Sequence, residues 1–253
     1  RQSEADRWFA RNRSALGGFD AGADLPLRLL ELYDLRPQSV IEIGAANGFR
    51  LAAIERWRGA HCVAVEPSAD AIRDGRASFP ALTFIRGSAA AVPVKESFDL
   101  VIVNFVLHWI DRVSLLRSVA EIDRLVKDGG FLIIGDFQPA NFTRARYHHL
   151  TDREVYTYKQ DYPALFQSAG LYHPVAMLSA DHSTKALEPR VAEHDRIGAT
   201  LLRKELGNHY THSGVSSLHG WESRADEVAL FGDRLRLHRQ APCRESAPAR
   251  RHG

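Results

Sequence analysis

Cysteine is almost absent. The chain of 253 residues has two, Cys62 and Cys243, and neither stands at metal-ligand spacing. Cys62 falls in an expected buried strand, where a thiol is inert, and a cytosolic, cytoplasmic setting fits this usage. No apolar run is long enough to span a bilayer, so no membrane partner is expected. The opening RQSEADRWFARN is polar and charged, unlike a signal peptide. A dominant charge sign is lacking too. Lys and Arg number 33 against 31 Asp and Glu, a formal net charge of +2, and the basic excess is spread along the chain. That is no nucleic-acid footprint, so a nucleic-acid partner is not expected. His209, His212 and His219 have no acidic or Cys partner at ligand spacing, and no metal is expected. There are no internal repeats. What remains, 45% hydrophobic and 25% charged, is ordinary globular composition, and the length allows one large domain or one domain with an appendage.

The organising stretch is Ser39 to Glu66, SVIEIGAANGFRLAAIERWRGAHCVAVE. Val40, Ile41 and Ile43 form a short β-branched run that suits a strand buried on both faces. Gly44 and Gly48 bracket a turn, and Leu51, Ala52, Ile54 and Glu55 suit a helix. His61 to Val65 is a second strand, with Glu66 at its C-terminal edge, the edge that faces the ligand crevice in a parallel sheet. A glycine after the first strand lets the backbone approach a ligand closely. The helix starting near Asn47 turns free N–H groups toward the same crevice. A carboxylate after the second strand can accept from both hydroxyls of a ribose. The pattern points to a nucleoside-bearing cofactor.

The dinucleotide fingerprint G-x-G-x-x-G lacks its second and third glycines in Gly44-Ala45-Ala46-Asn47-Gly48-Phe49. What stands instead, Glu42-x-Gly44-x-x-x-Gly48, resembles motif I of class I S-adenosylmethionine-dependent methyltransferases.

The rest of the chain alternates. Helices are expected over 3–15, capped by Ser3, and over 24–35, capped by Asp24 with Pro26 in the first turn. They either form a lid or shoulder over the crevice, domain 1–36, or cover a sheet edge. After Glu66 come a helix from Ala69 to Ala77, a strand from Ala81 to Arg86, a strand from Phe98 to Asn104 and a helix from Arg112 to Lys127 stopped by Asp128-Gly129-Gly130. Phe131 to Gly135 is a fifth strand ending in Asp136. Tyr162 to Ala169 is a helix capped by Gly170. Tyr172 to Leu178 and Asp195 to Arg203 are the last two strands. This is the pattern of a doubly wound α/β sheet.

VPVKESFDLVIVNFVLHWIDR and LVKDGGFLIIGDF are similar to the later motifs of the same methyltransferase class, in the same order and spacing. The resemblance covers residues 38–137 closely and extends loosely to 203. It implies a Rossmann-like sheet of seven strands, mostly parallel with an antiparallel last strand and helices on both faces, as a cofactor-binding domain over 37–203. It implies S-adenosylmethionine as cofactor, with Glu42, Gly44, Ala46 and Gly48 at its methionine end and Glu66 on the ribose hydroxyls. Pro67 or Ser68 would lie against the adenine, Ser88 and Ala89 at the adenine edge, and Asn104 and Phe105 beside the methionine portion. Ser88 stands where many members have Asp, so one charged acceptor is missing. Asn47 and Arg50 are further candidates, Arg50 with the alternative of a solvated helix residue.

The stretch 137–161 departs from a minimal fold. Rich in Tyr, His and Arg at the ligand edge, it is where acceptor specificity is expected. Candidate bases are His108, in NFVLHW, and Tyr147, His148 and His149. Asp136 could position a base or an acceptor hydroxyl, or cap a loop. Phe105 and Trp109 could face a sulfonium or be core aromatics. Residues 204–253 form an extension, helical over 221–238 and disordered at its end, RQAPCRESAPARRHG. The expected activity is methyl transfer to an O or N atom of a small polar metabolite, possibly sugar-related. The alternatives are a carboxylate methyltransferase of a small acid and a non-catalytic cofactor-binding or assembly module.

Overall fold

The computed structural model describes residues 3–147, 154–188, 191–192 and 195–207. The chain enters through two capped helices. Ser3 and Asp6 form a reciprocal capping box at the start of α1 (Glu4–Gly17), and Asp24 accepts from the Leu27 N–H at the start of α2 (Leu25–Leu32). Each cap satisfies amide donors that a helix start leaves open. The alternation then runs β1 (Ser39–Ile43), α3 (Phe49–Arg58), β2 (His61–Glu66), α4 (Ala69–Ser78), β3 (Thr83–Arg86) and β4 (Phe98–Asn104). A single 3-10 turn (Leu107–Trp109) leads to α5 (Leu115–Leu125) and β5 (Val126–Phe137). A short hairpin of β6 (Thr143–Arg146) and β7 (Tyr156–Lys159) precedes α6 (Pro163–Gln167), β8 (Tyr172–Asp181) and β9 (Arg196–Lys204).

The main sheet has seven strands in the order β3-β2-β1-β4-β5-β9-β8. β1 through β5 pair in parallel, and β9 inserts antiparallel between β5 and β8. This is the expected Rossmann-like architecture with one reversed strand. Because side chains alternate along a strand, the sheet feeds two cores. Val40, Ala64, Leu100, Ile102 and Ile133 pack with α2 and α3 on one face. Ile41, Ile43, Val65, Val101, Val103 and Ile134 pack with α5 and Phe166 of α6 on the other. The first helix, α1, lies against α4.

Three expectations are corrected. The helix expected over Arg112 to Lys127 ends at Leu125, and Asp128-Gly129-Gly130 lies within β5 instead of closing a helix. The β4–β5 register steps from Phe98–Val126 to Leu100–Phe131, so these residues loop out of the ladder, with Gly129 left-handed at φ 76. The stretch 137–161 carries the β6–β7 pair, which sequence reading left without elements. The helix expected over Tyr162 to Ala169 is the shorter Pro163–Gln167. The expected helix over 221–238, the tail and the three tail histidines lie outside the described residues.

The ligand edge is set by this topology. Gly44, Glu66, Asn104 and Asp136 all stand at or just past the C-terminal ends of parallel strands. A cavity of about 370 Å³ lies at the opposite edge, lined by Arg36, Gln38, Asp99 and Lys127 among others. Its charged groups already have partners, Arg36 with Asp34, Lys127 with Asp99 and Asp128 with the Leu206 N–H. Asp99 accepts from the Gln38 and Ser39 N–H groups, from the Ser39 hydroxyl and from Lys127. The chemistry therefore has to be sought at the other end of the strands. Among the described residues no helix is long and apolar enough to cross a membrane.

Candidate functional site

The turn after β1 is left-handed at three residues, Gly44 (φ 75), Ala46 (φ 49) and Gly48 (φ 82). A Cβ on Gly44 would overlap Val106 Cγ2, and one on Gly48 would sit 2.8 Å from Phe84 Cζ and 2.9 Å from Leu82 Cδ1. Both positions therefore need glycine for backbone angle and for space. The Gly44 and Ala45 N–H groups donate to the Val65 carbonyl at 2.8 and 3.2 Å, which ties the turn to the end of β2. Gly48 begins α3 with no side-chain cap, so the first amides of that helix remain available to a ligand.

Glu66 is drawn under this turn. Its Oε2 accepts from the Ala46 N–H and its Oε1 from the Ser68 N–H, each at 2.9 Å. Burial pushes its carboxyl up, against those two hydrogen bonds, and the Glu42 and Asp6 charges add to the rise, to about 7. Each oxygen keeps a second lone pair, so the carboxylate can still accept from two hydroxyls of a diol.

Ser68 is placed differently from a residue lying open against a ligand. Its hydroxyl is buried, caps α4 by accepting from the Ala71 N–H, and donates to Asp6 of α1 at 2.7 Å. That bond holds the Asp6 carboxyl well below the usual carboxylate range. Pro67 is exposed at the edge beside it. Farther along, Ser88 is exposed and paired through its backbone with Ala91, and Ala89 is buried.

Behind the turn lies an ion cluster. Arg50 is 5% exposed, which corrects the solvated alternative. Its Nε and Nη2 donate to Asp24 at 2.8–3.1 Å and its Nη1 to Glu42 Oε1. The guanidinium fork suits two carboxylates at once. Two acids against one base leave the cluster net negative, and burial together with the Asp24 charge pushes the Glu42 carboxyl up while Arg50 opposes the rise. Glu42 Oε2 is buried without a hydrogen-bond partner. Asn47 donates to Asp74 at 2.8 Å, while its own Oδ1 has no partner. An unpartnered carboxylate oxygen beside a net negative cluster fits an ammonium, and Glu66 fits a diol. The turn between them offers backbone without side chains.

The other half of the site starts where β4 ends. Phe105 is left-handed at φ 56, and its N–H donates to the Gly135 carbonyl at 2.7 Å. Asn104 lies over Gly135, where a Cβ would collide with its side chain. The reversal at Phe105 carries the chain into the 3-10 turn and points His108 back at the end of β5. His108 N–H donates to Asp136 Oδ2 at 3.1 Å, and Asp136 Oδ1 accepts from the Phe137 N–H at 2.8 Å. His108 Nδ1 lies 2.9 Å from Asp136 Oδ1. The ring N–H is not aligned for a directed hydrogen bond, so this is a close contact that becomes an ion pair when the imidazole is protonated. Both residues are buried.

The remaining candidates separate. The Tyr147 ring packs on Trp109 with centroids 4.5 Å apart, but its hydroxyl reaches α1, where Arg11 donates to it. Burial pushes this phenol up. Phe105 and Phe137 meet edge to face at 5.4 Å, and the His108 ring lies 5.1 Å from Phe137. His148 and His149 lie outside the described residues. Sequence reading missed Asp24 as the holder of Arg50, and it missed His182, Lys159 and Lys185 around Phe105 and Phe137. The order of the strands carried a signal for His182 and Lys185, since a loop after β8 must emerge at the ligand edge.

Residues 41–134 match the family model described as a methyltransferase domain. The chain is 31% identical over 98 residues to the trans-aconitate 2-methyltransferase of Azoarcus sp. (strain BH72), covering 38% of each chain. It is 30% identical over 108 residues to the demethylmenaquinone methyltransferase of Renibacterium salmoninarum, covering 42% of this chain and 44% of that one. The matches thus span less than half the length of these two relatives. Among solved structures, the Burkholderia thailandensis 1,6-didemethyltoxoflavin-N1-methyltransferase, with 1,6-didemethyltoxoflavin and S-adenosylhomocysteine bound, superposes with a TM-score of 0.59 at 18% identity, over 78% of this chain and 84% of that one. A TehB-like SAM-dependent methyltransferase from Corynebacterium glutamicum gives 0.56 at 16% identity, over 80% and 98%. At these identities the structures share the fold. The family match thus marks residues 41–134 as a methyltransferase domain, and the chain shares the fold of solved S-adenosylmethionine-dependent methyltransferases.

Proposed function

We propose that the chain transfers a methyl group from S-adenosylmethionine to an O or N atom of a small polar metabolite. The observation that carries the reading is the pairing of an unpartnered Glu42 oxygen with the diol-ready Glu66 carboxylate on either side of the Gly44–Gly48 turn. S-adenosylmethionine has an ammonium at one end and a ribose diol toward the other. In this reading Glu42 takes the ammonium, and the backbone of Gly44, Ala46 and Gly48 borders the methionine portion with Asn104 and Phe105. Glu66 takes the ribose hydroxyls. Pro67, the Ser68 backbone, Ser88 and Ala89 border the adenine.

When bound, the cofactor supplies an electrophilic methyl on a sulfonium sulfur. The protein's part is to hold the acceptor in line with that methyl and to keep water out. His108 accepts the acceptor's proton, and Asp136, fixed by the His108 and Phe137 amides, lies against Nδ1, where its charge stabilises the imidazolium. The aromatic faces of Phe105 and Trp109 suit a passing positive charge. Tyr147, with its hydroxyl turned to α1, shapes the acceptor side. Sugar-related metabolites and small acids are the acceptors to screen, and the name of the Azoarcus relative supports the acids.

Calorimetric titration of the full chain with S-adenosylmethionine and S-adenosylhomocysteine, with NAD as control, tests the reading. Micromolar binding of the first two and none of NAD is expected. Failure of all three to bind would leave a scaffold that has lost its cofactor. Binding without turnover across the acceptor screen would favour a non-catalytic module.

A further inference from the structure

Two cationic side chains converge on the aromatic floor beside His108. Lys159, the last residue of β7, places Nζ 3.8 Å from the Phe137 ring centroid. Lys185, in the connection from β8 to β9, places Nζ 6.0 Å from the Phe105 centroid. His182 stands between them, 5.3 Å from Phe137 and 6.0 Å from Phe105. Partial burial first, then the Lys185 and Lys159 charges, push its imidazole below the ordinary range.

Burial holds the Lys185 ammonium below its ordinary range, the Asp181 charge opposes this through space, and the two form no ion pair. Asp181 Oδ1 is spent on the Ser183 and Thr184 amides and the Thr184 hydroxyl. Asp195 acts on His182 through its charge and through its carbonyl, which accepts the His182 N–H. Among the described residues neither ammonium forms an ion pair. Lys185 also holds a left-handed backbone at φ 60 without being glycine. That conformation costs energy, and such costs concentrate at functional sites. His182 and Lys185 stay open to solvent, so a small molecule can reach them.

Two unpaired ammoniums beside a site that receives a sulfonium cation repel the cofactor unless the second ligand brings negative charge. We propose that Lys159 and Lys185 hold an anionic group of the methyl acceptor, a carboxylate or a phosphate, above the Phe105–Phe137 floor. The acceptor class is then an acid, a sugar acid or a phosphorylated metabolite, with its reacting atom toward His108. The assignment of this anion as the acceptor rests on the methyl-transfer reading. The anion site itself does not.

The test uses benzoate and inorganic phosphate as probes and benzamide as the neutral control. Each is titrated at low salt into the full chain with and without S-adenosylhomocysteine. Benzoate or phosphate should bind where benzamide does not, and whichever binds more tightly names the anion. Lys159→Met and Lys185→Met should each weaken that binding by about two- to fivefold, as the loss of one solvent-screened charge contact implies. Affinity for S-adenosylhomocysteine and the melting temperature should stay unchanged. Equal binding of benzoate and benzamide, no binding of either anion, or wild-type anion affinity in both variants overturns the proposal. Anion binding in a chain that takes no S-adenosylhomocysteine would keep the anion site and remove the methyl-transfer reading.

Discussion

His108 and Asp136 are 28 residues apart in sequence, yet Nδ1 of one lies 2.9 Å from Oδ1 of the other inside the protein. The left-handed turn at Phe105 makes this possible by folding the end of β4 back over the end of β5. With Nδ1 turned to the carboxylate, Nε2 is the nitrogen left to take a proton. For a hydroxyl acceptor, His108→Ala should lower kcat by about 10²–10⁴-fold, the usual worth of a positioned base. Affinity for S-adenosylhomocysteine should be kept. Added imidazole should restore part of the activity, which a purely structural histidine would not allow. Asp136→Asn should lower kcat and leave KM nearly unchanged. If a carboxylate acceptor is methylated at full rate by His108→Ala, no base operates here.

Glu66 makes the ligand-free protein sensitive to pH in a set direction. Its carboxyl is raised from 4.5 to about 7. The folded state therefore holds a proton that the unfolded state has released across that window. The associated stability is present below pH 4.5 and is lost as pH rises through 7. It amounts to at most about 3–4 kcal/mol. Glu42 adds a change of the same sign, so the Glu66 share is the difference between wild type and Glu66→Gln. Chemical denaturation at several pH values reads this slope. Ribose hydroxyls donating to Glu66 would favour its charged form. Binding of S-adenosylhomocysteine at pH 7 should then release about half a proton, measured as a dependence of the calorimetric heat on buffer ionisation. No proton release would remove the ribose role of Glu66.

Local chemistry made much of this fold legible. GAANG reads as a turn because two glycines bracket it, and Glu66 reads as a ligand-edge acid because it ends a strand that follows a helix. Features assembled from distant segments were hidden. Arg50 looks like a solvated helix residue until Asp24, from the preceding helix, is placed against it. Asp128-Gly129-Gly130 has the composition of a helix stop, but the chain had already left the helix at Val126 to pair with Phe98. The strands TRAR and YTYK are only four residues each, TRAR lacks apolar alternation, and the alternation of YTYK is too short to mark a strand. His182 reaches Phe137 and Lys185 reaches Phe105 only because β9 inserts between β5 and β8, a pairing no local pattern announces.

Gly44 has no tolerance for a side chain. Gly44→Ala places a Cβ in a left-handed backbone, at a cost of about 1–2 kcal/mol, and drives it into Val106 Cγ2. A lower melting temperature and at least a tenfold loss of S-adenosylhomocysteine affinity are expected, on the order of the backbone displacement such a clash demands. Adding Val106→Ala relieves the clash and leaves the backbone cost, so the double variant should recover stability in part. Full recovery would mean that crowding alone demands glycine.

The Arg50 cluster separates stability from binding. Arg50→Met leaves Asp24 and Glu42 as buried charges with no cation between them, and breaking a buried pair in this way costs about 3–5 kcal/mol. Glu42→Gln has the opposite character. It removes the excess negative charge while Arg50 keeps Asp24 at 2.8 Å, so the melting temperature should hold or rise. If Glu42 Oε2 receives the cofactor's ammonium, the same change removes a charge-assisted hydrogen bond. S-adenosylhomocysteine affinity should then fall by roughly 10–100-fold. Thermal unfolding and calorimetry on the two variants decide between the roles. Unchanged affinity in Glu42→Gln would make Glu42 a partner of Arg50 alone, and the cofactor's ammonium would have to be held elsewhere on the turn.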